Sequence, residues 1–171
     1  KWTGSVPTDA HMWTGENPAF ATNGTWKPWV MTSGDQFRPP PPPAYDSEQM
    51  KTEMAELRDF ERTPTTNAIA LFWEYGSGGR RIYWFWNDVA NRAILEAGLG
   101  SDAPRAARAY ALLNIVADDA TIGCWDAKFT YWAMRPFQFD PEFKPLFTTP
   151  NHPSYPSAHS CVSTASATVL A

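Results

Sequence analysis

The chain has 171 residues, 43% hydrophobic and 15% aromatic, a composition that indicates a folded domain and excludes a disordered chain. Its formal net charge of −4 argues against a nucleic-acid binder, whose surface is usually basic. No stretch approaches the roughly 18 consecutive apolar residues of a membrane span, so we expect none. Two cysteines, Cys124 and Cys161, are too few for a disulfide framework, and we expect both to be buried free thiols.

The first 46 residues predict an irregular arm. This segment contains four tryptophans, Trp2, Trp13, Trp26 and Trp29. It ends with the run Pro39–Pro43, which favours polyproline II and cannot be helical. We expect residues 1–46 to wrap around a helical body formed by residues 47–171, with the tryptophans packed against it. The alternative for the proline run is a ligand for a proline-reading module.

From residue 47 onward the pattern predicts helices. They run from Asp46 or Ser47 to about Phe60, from Thr63 and Pro64 past Trp73, from about Arg80 to Leu95, from Ala103 to about Met134, and from near Ser157 onward. Hydroxyl or carboxylate N-caps, and proline in the first turn, mark most of these starts. Strand signals are nearly absent, so the sequence predicts an all-α fold, a helical bundle.

Two details of the third predicted helix are testable against a structure. The loop Gly76-Ser77-Gly78-Gly79 is expected to precede it. Its inward-facing residues are expected to be Ile82, Trp84, Val89 and Ile94.

Lys128 and Arg135 form the first pair of candidate functional residues. Seven residues apart on one helix, they would project from the same face, about 20° apart in azimuth and roughly 10 Å along the axis. Arg offers a planar fork to two oxygens and Lys adds a point charge, so the pair could clamp an oxyanion. The alternative is two cations that extend from a solvated stripe into water.

The second feature is the proline-rich segment from His152 to His159, which leads into the last predicted helix. A helix N-terminus presents unpaired N–H groups and the positive end of the helix dipole, which together attract an anion. Ser157 would cap this helix or hydrogen-bond a ligand oxygen. His159 would then lie beside the anion as a general acid or nucleophile, or else be a capping or packing histidine.

Together these two features resemble the first two motifs of a known superfamily. Lys128-FTYWAM-Arg135-Pro136 matches K-x6-R-P, and Pro156-Ser157-Ala158-His159 matches P-S-G-H. Both are motifs of the vanadium-dependent haloperoxidases and type 2 phosphatidic-acid phosphatases. The segments CWDAKFTYWAMRP, HPSYPSAHSCVS, DQFRPPPPPA and ALLNIVADDA look like the soluble haloperoxidase branch, so the resemblance covers most of the chain.

The resemblance implies an oxyanion site for vanadate, which phosphate or sulfate would also fit. Lys128, Arg135 and Ser157 would hydrogen-bond oxygens of the bound anion. Ala158 stands where the family usually has glycine and would contribute its backbone N–H, provided that its φ accepts a Cβ. His159 would be the acid–base histidine.

The resemblance also implies a halide pocket. His152 occupies a position at which bromide-oxidising members carry histidine and chloride-oxidising members carry an aromatic residue, so we expect bromide. Trp125 matches an aromatic residue that lines the halide pocket. His159 and His152 are therefore the expected catalytic histidines.

The third motif of the superfamily, S-R-x5-H-x3-H, does not occur in the sequence. It supplies a second arginine and the histidine that bonds vanadium or is phosphorylated. We therefore expect a fragment whose domain is incomplete at its C-terminus, with the ligand histidine downstream of Ala171 or on a complementing chain. An acidic partner of that arginine is expected near the end of the second helix. Glu74 is nearby, but the aligned position is closer to Gly76, so this role stays open.

These inferences predict a haloperoxidase-like enzyme that oxidises halide with hydrogen peroxide. One alternative is an acid phosphatase of the same superfamily acting on a phosphate ester, and another is a non-catalytic helical fragment that binds oxyanions. No nucleic-acid partner is expected, and a homo-oligomer is compatible with each reading. The sequon Asn23-Gly24-Thr25, and the frequent export of this branch, favour a secreted or periplasmic protein.

Overall fold

The computed structural model describes residues 2–74 and 82–171. Its α-helices in those ranges are α1 (Glu48–Asp59), α2 (Pro64–Trp73), α3 (Ile82–Glu96), α4 (Ala103–Tyr131), α5 (Pro136–Phe139) and α6 (Ala158–Leu170). No strand occurs there; Met12 and Ala133 form an isolated bridge. The predicted all-α class is confirmed. None of the described helices combines the length and apolar character needed to cross a membrane.

Local capping explains where the helices begin. Ser47, Thr63, Asp102 and Ser157 each accept a hydrogen bond from a backbone N–H of the first turn of α1, α2, α4 and α6 respectively. Thr63 also forms a capping box with Thr66. These are the starts that the sequence predicts. The predicted start of the third helix near Arg80, and the loop Gly76–Gly79, lie outside the described residues.

The long helix α4 forms the centre of the molecule. α3 and α6 pack against it, and its C-terminal half is buried on several sides, from Leu113 to Phe129. The main aromatic cluster lies at that end and consists of Trp13, Cys124, Trp125, Phe129 and Trp132. A helix that is buried on several sides acts as the core itself, so the side chains it presents are held rigidly.

α4 ends three residues earlier than the expected Met134. It stops at Tyr131, and Trp132 takes the left-handed conformation with φ of 51°. The Trp132 carbonyl accepts a hydrogen bond from the backbone N–H of Trp13 at 2.6 Å, and its ring packs on Trp2 and Trp13. These contacts with the arm stabilise a backbone conformation that tryptophan rarely adopts alone.

The prediction that Trp84 faces inward is wrong. Its side chain is 70% exposed, whereas Ala90 and Ile94 are the buried residues of α3. Trp84 precedes Ala90 by six residues, which places it about 120° around the helix from that buried face. Ile82 and Val89 are half-buried.

The arm is irregular between residues 2 and 46, apart from a short 3-10 helix, Asn23–Thr25. Trp13 is buried in the aromatic cluster, and Trp2 packs on Phe129 and Trp132, with ring centroids 5.9 Å apart in both pairs. Trp26 and Trp29 are exposed, although the Trp29 indole N–H donates to Asp118 of α4 at 2.9 Å, so two of the four tryptophans are packed in the cluster and a third contacts α4 at the surface.

Backbone and side-chain contacts fasten the arm to α4. The buried carboxylate of Asp119 accepts hydrogen bonds from the backbone N–H groups of Trp29, Val30 and Met31 at 2.7–2.9 Å. The 3-10 helix lies directly on α4 through Gly24. A Cβ at Gly24 would stand only 2.4 Å from the backbone nitrogen of Asp126, so this approach requires glycine.

Candidate oxyanion-binding site

Lys128 is the most deeply buried cation of the candidate site. It lies on α4 and is 1% exposed, and its Nζ donates to the carbonyl oxygens of Pro153 and Ser154, each at 2.8 Å. Burial, together with the nearby Arg135 charge, lowers its pKa to about 8. The ammonium group is therefore mostly charged at neutral pH. Two of its three protons are used in these bonds, which leaves one for a ligand.

Arg135 reaches the same segment by a different route. It is the N-cap residue of α5, not part of α4, so the expected single helix face shared with Lys128 is wrong. Its Nε donates to the His152 carbonyl at 2.8 Å and its Nη2 to the Pro150 carbonyl at 3.2 Å. Burial lowers the pKa of Arg135 to about 10, so it stays charged. The two cations thus converge on residues 150–154.

Neither cation extends into water from a solvated stripe. Lys128 is buried and Arg135 is half-buried, and both donate to carbonyl oxygens of the segment that leads into α6. Burying a charge is costly unless hydrogen bonds compensate it. The structure therefore favours the clamp reading of the pair.

His152 lies between the two cations and is 8% exposed. Its Nδ1 is 2.9 Å from Nη2 of Arg135. The same Nδ1 is 3.0 Å from the Pro153 carbonyl oxygen, so it either accepts from Arg135 or donates to Pro153, depending on the tautomer of the ring. Burial, with the charges of Lys128 and Arg135, lowers the pKa of His152 to about 3. The ring is neutral near pH 7, so His152 is not available there as an imidazolium acid.

Trp125 lies one turn before Lys128 on α4 and is buried against His152 and Phe20, with ring centroids 5.5 and 5.7 Å away. The Lys128 Nζ is 6.0 Å from its ring centroid. Its indole N–H is buried and has no hydrogen-bond partner among the described residues. An unpaired buried donor costs about 1–3 kcal/mol, so an acceptor bound there would be stabilised.

The start of α6 carries the remaining predicted residues. Ser157 caps the helix, because its Oγ accepts from the Ser160 backbone N–H at 3.3 Å. Ala158 begins the helix and has no positive φ, so its Cβ is tolerated and its N–H remains a donor. His159 lies on the exposed first turn. Ser157 follows Ser154 by three positions, and the Ser154 carbonyl accepts a hydrogen bond from Lys128.

The sequence did not predict the ion pair between Arg38 and Asp126. Asp126, two residues before Lys128, is fully buried, and Arg38 of the arm donates to its Oδ2 through Nε at 3.0 Å and through Nη2. The pair fixes the turn of α4 that carries Trp125 and Lys128. An aspartate in the apolar part of a predicted helix indicates a buried polar contact, but the sequence does not identify the partner, which lies 88 residues away.

A cavity of about 330 Å³ opens beside Arg135. α1, α2, α5 and the loop after α5 surround it. Its lining includes Arg62, Arg135, Phe137, Phe143 and Phe147. The cavity is large enough for a small organic molecule next to the guanidinium.

The donor set as a whole is suited to an anion. The available groups are the ammonium of Lys128, the guanidinium of Arg135, the indole N–H of Trp125 and the N–H groups at the start of α6. All of them donate hydrogen bonds, so they match the oxygens of vanadate or phosphate and not a bare cation. Among residues 2–74 and 82–171, no three His, Cys, Asp or Glu side chains are grouped closely enough to hold a metal ion.

A comparison with known proteins agrees at the level of the fold. No protein-family model and no curated protein sequence matches the chain. A solved structure described as the first bacterial vanadium-dependent iodoperoxidase superimposes with a TM-score of 0.79 at 28% sequence identity. The match covers 97% of this chain and 45% of that one, so the chain spans less than half of its structural neighbour. The helical architecture is thus similar to the matched part of that vanadium iodoperoxidase.

Proposed function

We propose that this chain supplies part of the vanadate site of a haloperoxidase-like enzyme that oxidises halide, bromide in the first place, with hydrogen peroxide. The supporting observation is the pair of cations, Lys128 and Arg135, that converge on residues 150–154 and keep hydrogen-bond donors for a ligand. The fold shared with a vanadium iodoperoxidase supports the choice of vanadate over other oxyanions.

The residues present fit a tetrahedral oxyanion. Lys128 and Arg135 would balance its negative charge, and Ser157 and the Ala158 N–H would bind further oxygens at the helix start. When bound, vanadate supplies Lewis-acid activation of peroxide. Phosphate and sulfate carry the same oxygens and would compete for the same donors.

Each histidine has a distinct role in this proposal. His159 lies on the exposed first turn of α6, where its imidazole can exchange a proton with water and deliver it to the reacting oxygen. His152 stays neutral beside the Arg135 guanidinium, where it would help to orient that group and adds no positive charge of its own. The Trp125 N–H, which is unpaired, would donate to the halide.

The proposal requires two further groups. A second arginine and a histidine ligand belong to the motif S-R-x5-H-x3-H, which does not occur in these 171 residues. The solved iodoperoxidase is more than twice the length that the match covers, which supports additional polypeptide, continuous with this chain or separate from it, as their source.

The test is a halide-oxidation assay on the complete gene product, loaded with vanadate and given hydrogen peroxide with bromide or iodide. We expect peroxide-dependent oxidation, reduced at least tenfold by Arg135→Ala because a charge-assisted hydrogen bond contributes about 1.5–3 kcal/mol. The matched control is Arg105→Ala, at an exposed arginine of the first turn of α4. Turnover of a phosphate ester without halide oxidation would contradict the proposal and favour a phosphatase. The absence of both activities would contradict it too and favour a protein that only binds oxyanions.

A further inference from the structure

The two cysteines lie on the two helices that carry the oxyanion-binding residues. Cys124 belongs to α4, one turn before Lys128, and Cys161 belongs to the first turns of α6. α4 and α6 pack directly on each other, and Cys161 packs against the aromatic cluster that contains Cys124. Both are free thiols; Cys124 is buried as predicted, whereas Cys161 is only half-buried. The fold thus places the chain's two thiols side by side.

A cavity gives small molecules access to this pair. Both cysteines line an apolar space of about 520 Å³ between the arm, α4 and α6. Its other lining residues include Met31, Phe37 and Val116. Its volume far exceeds that of hydrogen peroxide, so an oxidant of this size can reach the sulfur atoms.

The two thiols differ in acidity. Interaction with the Cys124 thiol, together with the positive charge of Lys128, lowers the pKa of Cys161 below its usual value. Interaction with Cys161 and burial raise the pKa of Cys124. A thiolate is the nucleophilic form of cysteine, and Cys161 is also the more accessible of the two thiols, so Cys161 is the sulfur that attacks first and Cys124 the one that responds.

We propose that Cys124 and Cys161 are a peroxide-sensitive pair that forms an intramolecular disulfide between α4 and α6. In the first step the Cys161 thiolate attacks one peroxide oxygen, the O–O bond breaks and hydroxide leaves, which produces a sulfenic acid. In the second step the Cys124 sulfur attacks that sulfenic sulfur, the S–S bond forms, and the S–O bond breaks with loss of water. Two thiols lose two electrons in total, and one peroxide is reduced to two waters.

The consequence concerns the geometry of the oxyanion donors. A disulfide at these positions would connect the helix that presents Lys128 to the helix start formed by Ser157 and Ala158. Oxidation would therefore set the separation of the two parts of the donor set. The inference does not depend on the proposed function, because any hydroperoxide can serve as the oxidant.

The first experiment uses the reduced chain, without vanadate, treated with a small excess of hydrogen peroxide. The product is alkylated under denaturing conditions, weighed by mass spectrometry and mapped after proteolysis. We expect the loss of two hydrogen atoms, no alkylated cysteine, and one cross-linked peptide pair that contains Cys124 and Cys161. Two alkylated cysteines, or disulfide-linked dimers on a non-reducing gel, would overturn the proposal.

Single variants test the order of the two steps. Cys124→Ser should accumulate a sulfenic acid at Cys161 that dimedone traps, whereas Cys161→Ser should leave Cys124 largely unreacted over the same time. Equal reactivity of the two variants would overturn the assignment of Cys161 as the nucleophile. Circular dichroism checks that each variant is folded, and the wild-type peptide map decides the disulfide itself even if a variant does not fold.

Discussion

Two buried side chains at the candidate site, Lys128 and His152, have pKa values shifted in the same direction but reach different charge states. Burial disfavours the charged form of each, so both values fall. Lysine begins about four units higher than histidine, so a pKa of about 8 still leaves Lys128 charged at neutral pH. The site therefore combines two cations with one neutral ring, which favours an anionic ligand.

The neutral ring of His152 predicts a pH dependence of stability. Its pKa in the folded chain is about 3, below the usual 6.5. Between these values the unfolded chain binds a proton that the folded chain does not. The stabilisation is therefore complete above about pH 6.5 and is lost as pH falls towards 3. We expect His152→Asn to reduce this loss by up to a few kcal/mol at about pH 4.

Urea unfolding at about pH 7 and about pH 4 measures this difference for the wild type and the variant. His11→Asn is the matched control, because His11 is exposed in the arm and stacks on Tyr45 away from the two cations. If His152→Asn loses as much unfolding free energy between about pH 7 and about pH 4 as the wild type does, His152 is not the buried neutral group responsible. A change of similar size in His11→Asn would lead to the same conclusion.

At the scale of secondary structure elements, helix starts were predictable and one helix end was not. Ser47, Thr63 and Asp102 cap their helices through residues three positions away, so the signal is local. The end of α4 depends on Trp132, whose left-handed backbone is held by the distant Trp13. No local pattern reveals a contact between residues so far apart in the chain.

The contact between the arm and α4 yields a prediction with a matched control. Gly24→Ala would place a Cβ 2.4–2.7 Å from backbone atoms of Trp125 and Asp126, so the arm or the helix must shift. We expect a loss of stability of about 2 kcal/mol or more. The control is Gly123→Ala on α4, where the added Cβ would lie 3.5 Å from its nearest neighbour, the Gly34 carbonyl oxygen, an ordinary contact. That variant should be neutral or stabilised by up to about 1 kcal/mol, because alanine favours the helix.

Chemical denaturation of both glycine variants provides the measurement. A parallel titration with phosphate tests whether the arm supports the site, since Asp126 is two residues from Lys128. Equal stability of Gly24→Ala and Gly123→Ala would show that the close approach of the 3-10 helix to α4 does not contribute to the fold.

At the scale of the whole molecule, the sequence predicts most of the candidate site residues but few of the contacts that hold them in place. Lys128, Arg135 and the segment ahead of α6 were selected by motif and spacing. Their convergence was expected for the wrong reason, because Arg135 follows the end of α4. Hydrogen bonds to the carbonyl groups of residues 150–154, and the pair formed by Arg38 and Asp126, depend on how distant segments fold together. These long-range contacts carry no local sequence signal.

The fold comparison also bears on how much of the proposed site this chain supplies. The chain superimposes on 45% of a vanadium iodoperoxidase, and its own donors are two cations, an indole N–H and a helix start. We propose that this set binds an oxyanion through charge-assisted hydrogen bonds. We therefore expect oxyanion binding by this chain to be measurable independently of any turnover.

The most direct test of the account is the affinity of this chain for vanadate, measured by titration calorimetry at neutral pH with phosphate as competitor. We predict one saturable site, displaced by phosphate, whose affinity falls at least tenfold in Arg135→Ala and is unchanged in Arg105→Ala. Arg135→Lys should recover only part of the loss, because it restores the charge without the planar fork. Equal vanadate affinity in the wild type and Arg135→Ala, or no saturable binding by the wild type, would contradict the account.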